Sequence, residues 1–129
     1  MKTDNQITVL VVDDEGIIRA TLKALLEAKG CEVVTACDAF QAMQKIELLG
    51  RQFDLILSDI HMRGLSGYGL RRELLKSPET KEIPFVLMST ERPAQITLEE
   101  YGIAVFLEKP FGLNELMDAI GEMVEKTEA

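Results

Sequence analysis

Residues 55–64 read LILSDIHMRG. The apolar run Leu55-Ile56-Leu57 passes Ser58 and stops on a carboxylate, Asp59, two residues before the only histidine of the chain, His61. Adjacent apolar side chains do not alternate between a dry and a wet face. A strand of that kind is covered on both sides, as in a parallel sheet with helices packed on each face. Four more apolar stretches accompany it: Ile7 to Val12 (ITVLVV), Glu32 to Ala36 (EVVTA), Pro84 to Ser89 (PFVLMS) and Ile103 to Glu108 (IAVFLE). With Phe53 to Ser58 (FDLILS) they make five, and three of the five run nearly unbroken.

Helical patterns fill the gaps. Gly16 to Lys29 sets Ile17, Ile18, Leu22, Leu25 and Leu26 on one side and stops at Gly30, a residue suited to a helix C-terminus. Asp38 with Gln41 three residues on forms a capping-box pattern, and Ala39 to Leu49 follows before Gly50. Leu65 to Lys76 ends just before Ser77-Pro78. Pro93 suits the first turn of a short helix that closes before Gly102. Leu113, Leu116, Met117, Ile120 and Val124 mark the last helix. The order is β-α repeated five times. It predicts an α/β fold, a parallel sheet with helices on both faces and right-handed crossovers.

Bulk properties agree. The 129 residues have the length of one domain, expected to occupy 1–129 with its core at about 7–126. Hydrophobic residues are 47 % and charged residues 28 %, the balance of a globular chain. The apolar runs are far shorter than the roughly 20 residues that span a bilayer, and the polar N-terminus MKTDNQ lacks the apolar segment of a signal peptide. A cytoplasmic protein is expected, without membrane contact. The net charge of −8 argues against direct binding of nucleic acid, which needs a basic face. Cys31 and Cys37 have no zinc-type spacing and read as reduced thiols.

Open parallel sheets bind ligands beyond the carboxyl ends of their strands. Those ends carry Asp13-Asp14-Glu15, Asp59, Ser89-Thr90 and Lys109-Pro110. If all four project into one crevice, the carboxylates repel. Each pair at 4 Å costs about 1 kcal/mol in water and about 4 kcal/mol at an effective dielectric of 20. A hard divalent cation offsets this, and oxygen donors suit Mg²⁺ better than zinc. An ammonium, a hydroxyl and Mg²⁺ together describe a receptor for a phosphoryl group.

The set VVDDE, LILSD, LMST and EKPF, each at a strand end, resembles the receiver domain of two-component response regulators, of the chemotaxis type. The likeness covers essentially the whole chain. It implies a flavodoxin-like (βα)5 doubly wound sheet of five parallel strands in the order 2-1-3-4-5. It implies that Asp59 is the phosphoacceptor, attacking the phosphorus of a phosphohistidine or of a small acyl phosphate. Asp14 would bind Mg²⁺ directly, Asp13 largely through water, Asp59 itself and the backbone carbonyl of His61 completing the protein ligands. Ser89 would donate to one phosphoryl oxygen and Lys109 would pair with another, with a cis peptide bond before Pro110. Ser89 and Phe106 would form the switch. The implied activity is that of a signalling phosphoacceptor rather than an enzyme, with Mg²⁺-dependent self-phosphorylation and autodephosphorylation. Implied partners are a sensor histidine kinase or phosphotransfer protein, and a downstream target on the face of helix 4, strand 5 and helix 5, about Pro93 to Val124. The state would be a monomer or a phosphorylation-dependent dimer. No output domain follows, so either a stand-alone regulator or the receiver portion of a longer protein is expected.

Plainer readings stand beside these. Asp13 to Glu15 could be an acidic helix start. Asp59 and Ser89 could be strand ends, and Lys109 a surface lysine. The His61 ring could act, tune or merely be exposed, and Phe106 could be a core residue of strand five. Two positions depart from the family pattern. Arg63 stands where proline is usual, which frees a backbone dihedral and brings charge to the site. Thr90 stands where a small residue is usual and could narrow access for donor or water. Arg63, Thr90 and Glu91 are therefore candidate modulators of phosphoryl lifetime. Of the rival classes, a haloacid-dehalogenase-type phosphatase needs Asp-x-Asp, which Asp59-Ile60-His61 lacks. A flavodoxin needs a hydroxyl-rich loop where this chain has the anionic DDEG. A pseudo-receiver that acts only as an interaction module is the remaining alternative.

Overall fold

The computed structural model describes residues 6–49 and 52–128, with side chains as far as Met123. Its elements run β1 (Thr8–Val12), α1 (Gly16–Ala28), β2 (Glu32–Ala36), α2 (Ala39–Leu49), β3 (Leu55–Asp59), α3 (Gly67–Leu75), β4 (Phe85–Ser89), α4 (Gln95–Glu100), β5 (Val105–Glu108) and α5 (Leu113–Glu128). All strand pairs are parallel and the order is β2-β1-β3-β4-β5.

The unbroken apolar runs are the central strands. Every residue of β1, β3 and β4 is buried, because each has a neighbour on both edges and helices on both faces. The two edge strands are less covered. Along β1, Val9 and Val11 join Leu22 and Leu26 of α1 and Leu116 and Ile120 of α5. Leu10 and Val12 join Ala42 and Ile46 of α2, Leu70 and Leu74 of α3, and Leu98 of α4. The two-residue period of a strand thus supplies both cores.

Local signals set most boundaries. Gly30 takes φ 89°, which only glycine adopts without strain, and lets the chain leave α1. Asp38 Oδ1 accepts the Gln41 N–H at 2.8 Å, and Gln41 Oε1 accepts the N–H of Cys37 at 2.9 Å, one residue earlier than a standard capping box. Gly50 and the side chain of Val124 lie outside the described residues.

Three expectations need correction. Ile17 is 81 % exposed rather than on the buried side of α1. Helical side chains turn by about 100° per residue, so Ile17 and Ile18 cannot both face the sheet, and the line through Ile18, Leu22 and Leu26 does. Helix α3 starts at Gly67, not Leu65, because the Ser66 hydroxyl caps it by accepting the Gly69 N–H at 3.2 Å. Pro93 lies outside α4: Ala94 is the N-cap, with ψ 145°, and the helix begins only at Gln95.

Candidate functional site

The register of the sheet builds the site. Val12 pairs with Ser58, Asp59 with Met88, and Ser89 with Glu108. Neighbouring strands therefore end at nearly one level. The next residues, Asp13 after β1 and Lys109 after β5, come out beside Asp59 and Ser89.

Asp13 is fully buried and tightly held. Its Oδ1 accepts the Glu15 N–H at 2.9 Å, its Oδ2 accepts Lys109 Nζ at 2.9 Å, and its carbonyl accepts Arg19 Nη1 at 2.7 Å. Lys109 Nζ also donates to Asp59 Oδ1 at 3.2 Å, so one ammonium bridges two strand-end carboxylates. The Lys109 N–H donates to the Ser89 carbonyl at 2.7 Å, which ties the β5 end to β4, and the peptide bond to Pro110 is cis. Asp14 is exposed. One carboxylate oxygen from each of Asp13, Asp14 and Asp59 lies within 4.8 Å of the others. Closely grouped hard oxygen donors of this kind fit a small divalent cation.

The electrostatics follow from burial and crowding. The Asp59 carboxyl is pushed above the usual range, first by burial; the ammonium of Lys109 pulls against this, and the charges of Asp13 and Asp14 add to it. For Lys109, burial alone would lower the pKa, but the bond and charge of Asp13, with those of Asp59, hold it above the ordinary lysine value.

Asp59, Ser89, Thr90, Lys109, His61 and Glu15 line one cleft of about 150 Å³. Ser89 is buried and its Oγ accepts the Glu91 N–H at 3.4 Å, a long contact. His61 and Glu91 are exposed. Arg63 lies apart from that cleft, in a recess of about 450 Å³ with Asp14, Glu15, Cys37 and Asp38. Phe106 is half-buried against the α2–α4 core, with the Arg92 guanidinium 5.6 Å from its ring centre. A cation over the ring gives this phenylalanine a polar partner that it has no hydroxyl to find.

Two supporting residues have no motif of their own. Arg19 had no local signal, since it meets the Asp13 carbonyl only through the turn into α1. Gly67 is needed for close approach. Its N–H donates to the Ile60 carbonyl at 2.8 Å, and a Cβ there would drive into the Asp59 carbonyl oxygen and come within 3.1 Å of the Ile60 Cα. The Asp59–Ile60 backbone cannot yield as a side-chain tip can. Gly67→Ala is therefore expected to cost about 1–3 kcal/mol, read as a lower urea midpoint. An unchanged midpoint would show that α3 can draw back freely.

The family model described as "Response regulator receiver domain" matches residues 9–121. The chain is 33 % identical over 114 residues to the protein PilG of Pseudomonas aeruginosa, covering 87 % of this chain and 83 % of that protein. It is 34 % identical over 119 residues to the sensor kinase CckA of Brucella abortus, covering 92 % of this chain but 13 % of the kinase. It spans well under two thirds of the length of several curated relatives. Among solved structures it is similar to the chemotaxis protein CheY4 of Vibrio cholerae, with TM-score 0.84 and 28 % identity over 92 % of this chain and 98 % of that one. Among the described residues no helix is long and apolar enough to cross a membrane.

Proposed function

The chain belongs to the response regulator receiver domain family of two-component signalling, and from that premise we propose that Asp59 accepts a phosphoryl group from a phosphohistidine of a sensor kinase or phosphotransfer protein. The observation that carries this reading is the Lys109 ammonium bridging Asp13 and Asp59 beside Ser89, in one cleft at the ends of parallel strands.

Asp59 is the nucleophile. One of its carboxylate oxygens attacks phosphorus, the bond from phosphorus to the donor nitrogen breaks, and an aspartyl phosphate forms. Lys109 already holds Oδ1 and has the charge to follow a phosphoryl oxygen. The Ser89 hydroxyl can donate to another, giving up its long contact with the Glu91 N–H. Asp13, Asp14 and Asp59, with the backbone carbonyl of His61, would hold Mg²⁺. When bound, Mg²⁺ supplies positive charge that offsets the crowded carboxylates and the incoming phosphoryl oxygens.

A shallow recess of about 400 Å³ adjoins the cleft, and Glu15, Thr90 and Lys109 border both. Its apolar wall is Ile18, Leu22, Leu25, Pro110 and Phe111. A phosphorylated protein donor lying on that wall reaches Asp59 without crossing the rest of the surface. Movement of Ser89 toward the phosphoryl group makes room for Phe106, and the face of α4, β5 and α5 changes its affinity for a target protein. The net charge of −8 favours a protein target over nucleic acid.

The test is treatment with acetyl phosphate and Mg²⁺, followed by intact mass and mapping of the adduct. One phosphoryl group on the peptide that contains Asp59 is expected. An adduct elsewhere, or none, overturns the proposal.

Thr90 is exposed at the mouth of the same cleft. Its branched side chain restricts the approach of the water that would hydrolyse the aspartyl phosphate. Thr90→Ala is expected to speed loss of the phosphoryl group by about three- to tenfold, up to about 1.4 kcal/mol of barrier. An equal or slower decay removes this role.

A further inference from the structure

Arg71, on α3, is buried to all but 8 % of its surface, yet among the described residues no carboxylate is bonded to it. Its Nε donates to the Tyr101 carbonyl at 3.1 Å and its Nη2 to the Gly102 carbonyl at 3.3 Å. Its guanidinium carbon lies 5.5 Å from the centre of the Phe85 ring, and its Nη1 is buried without a hydrogen-bond partner among the described residues. Tyr101 is the C-cap of α4 and is gripped by α3 at two more points. Arg72 Nη2 donates to its hydroxyl at 2.6 Å, and the Tyr68 ring packs at 4.8 Å between centroids.

A buried guanidinium is not an economical filler. What arginine adds is direction, because its planar fork holds two carbonyls in fixed positions. Those two belong to the end of α4, on the output face. One turn before Arg71, α3 starts at Gly67, whose N–H is bonded to the residue after Asp59.

We propose that Arg71 is a positioning residue that fastens the end of α4, through α3, to the backbone beside Asp59, and so stabilises the arrangement without a phosphoryl group. This rests on the phosphoacceptor reading of Asp59. It adds a second mechanical link to the output face, separate from Ser89 and Phe106. Linkage then requires that loosening Arg71 strengthen phosphoryl binding at Asp59.

Beryllofluoride, a phosphoryl mimic, tests this in the presence of Mg²⁺, with Kd measured by fluorine NMR alongside thermal unfolding. Arg71→Met is expected to bind about fivefold more tightly or better, the lower end of ordinary allosteric coupling. Arg71→Lys keeps the charge but cannot hold both carbonyls, and is expected to stay within about twofold of Arg71→Met. Tyr101→Leu, which removes the ring but leaves the backbone, is expected to tighten binding by at least about twofold. Arg71→Lys carries the test alone if Arg71→Met does not fold. A lower unfolding temperature with unchanged or weaker beryllofluoride binding means that Arg71 is only a packing residue, and overturns the proposal. Absence of binding in the unaltered protein overturns the phosphoacceptor reading and this coupling with it.

Discussion

Lys109→Met is expected to lower the unfolding free energy by about 3–5 kcal/mol in Mg²⁺-free buffer. That is a large part of the roughly 5–15 kcal/mol that holds a domain of this size together. The reason is what the substitution leaves behind. Asp13 is fully buried, and its Oδ2 is bonded to Lys109 at 2.9 Å. Without the ammonium, a buried carboxylate loses its charged partner while Asp14 and Asp59 still press on it. The effect should shrink in Asp13→Asn/Lys109→Met, because an amide needs no counter-charge. A double-mutant cycle by urea denaturation separates this electrostatic part from lost packing. A loss below about 1 kcal/mol would mean that water or counter-ions already screen the pair, as at exposed sites. The pH dependence has a definite sign. Lys109 titrates higher in the folded state than in the unfolded chain. Its contribution is therefore fully present below the ordinary lysine pKa and disappears as pH rises through the folded-state value, on the alkaline side.

Asp59→Asn is expected to have opposite effects on activity and stability. Phosphoryl acceptance should fall on the order of a thousandfold or more, about 4 kcal/mol of barrier, since an amide oxygen is a poor nucleophile toward phosphorus. Intact mass after acetyl phosphate treatment reads this directly, and an adduct of equal yield would place the chemistry elsewhere. The same variant should unfold at a higher temperature. Burial and the charges of Asp13 and Asp14 hold the Asp59 carboxyl above its usual range in spite of Lys109. The folded state therefore keeps this proton to a higher pH than the unfolded chain. Stability from this group falls as pH rises from the unfolded pKa to the folded one, and the cost of ionisation is fully present above the folded value. Asp59→Asn removes that cost, so its advantage should grow across the same window and then stay level. A variant less stable than the parent above that window would mean that the Lys109 bond outweighs the repulsion.

Much of this arrangement is legible in the chain because it depends on short-range rules. The apolar runs Ile7 to Val12, Phe53 to Ser58 and Pro84 to Ser89 read as strands covered on both faces, and they lie on the central strands β1, β3 and β4. Asp38 with Gln41, and Gly30, mark helix ends through hydrogen bonds and dihedral angles that span only a few residues. The candidate site was legible for a related reason. Parallel strands in register all point their carboxyl ends the same way, so the residues after each run could be collected without knowing the strand order.

The tertiary structure decided what depends on direction across the sheet. Ile17 and Ile18 are equally apolar, and only the pitch of α1 against β1 selects which is buried. Arg19 reaching the Asp13 carbonyl, Arg92 lying over Phe106 and Gly67 making room for the Asp59 carbonyl leave no pattern in sequence, because each is a meeting of groups that packing brings together. Arg71 would be read as one more charged residue on a helix, yet it is buried against two carbonyls some thirty residues away. Residue types and their periods determined the strands, the helices and the group of acids and lysine at one edge of the sheet. Which atoms of that group touch, with Lys109 Nζ between Asp13 and Asp59 across separations of 96 and 50 residues, followed only from the fold, because side-chain direction is set by packing and not by position along the chain.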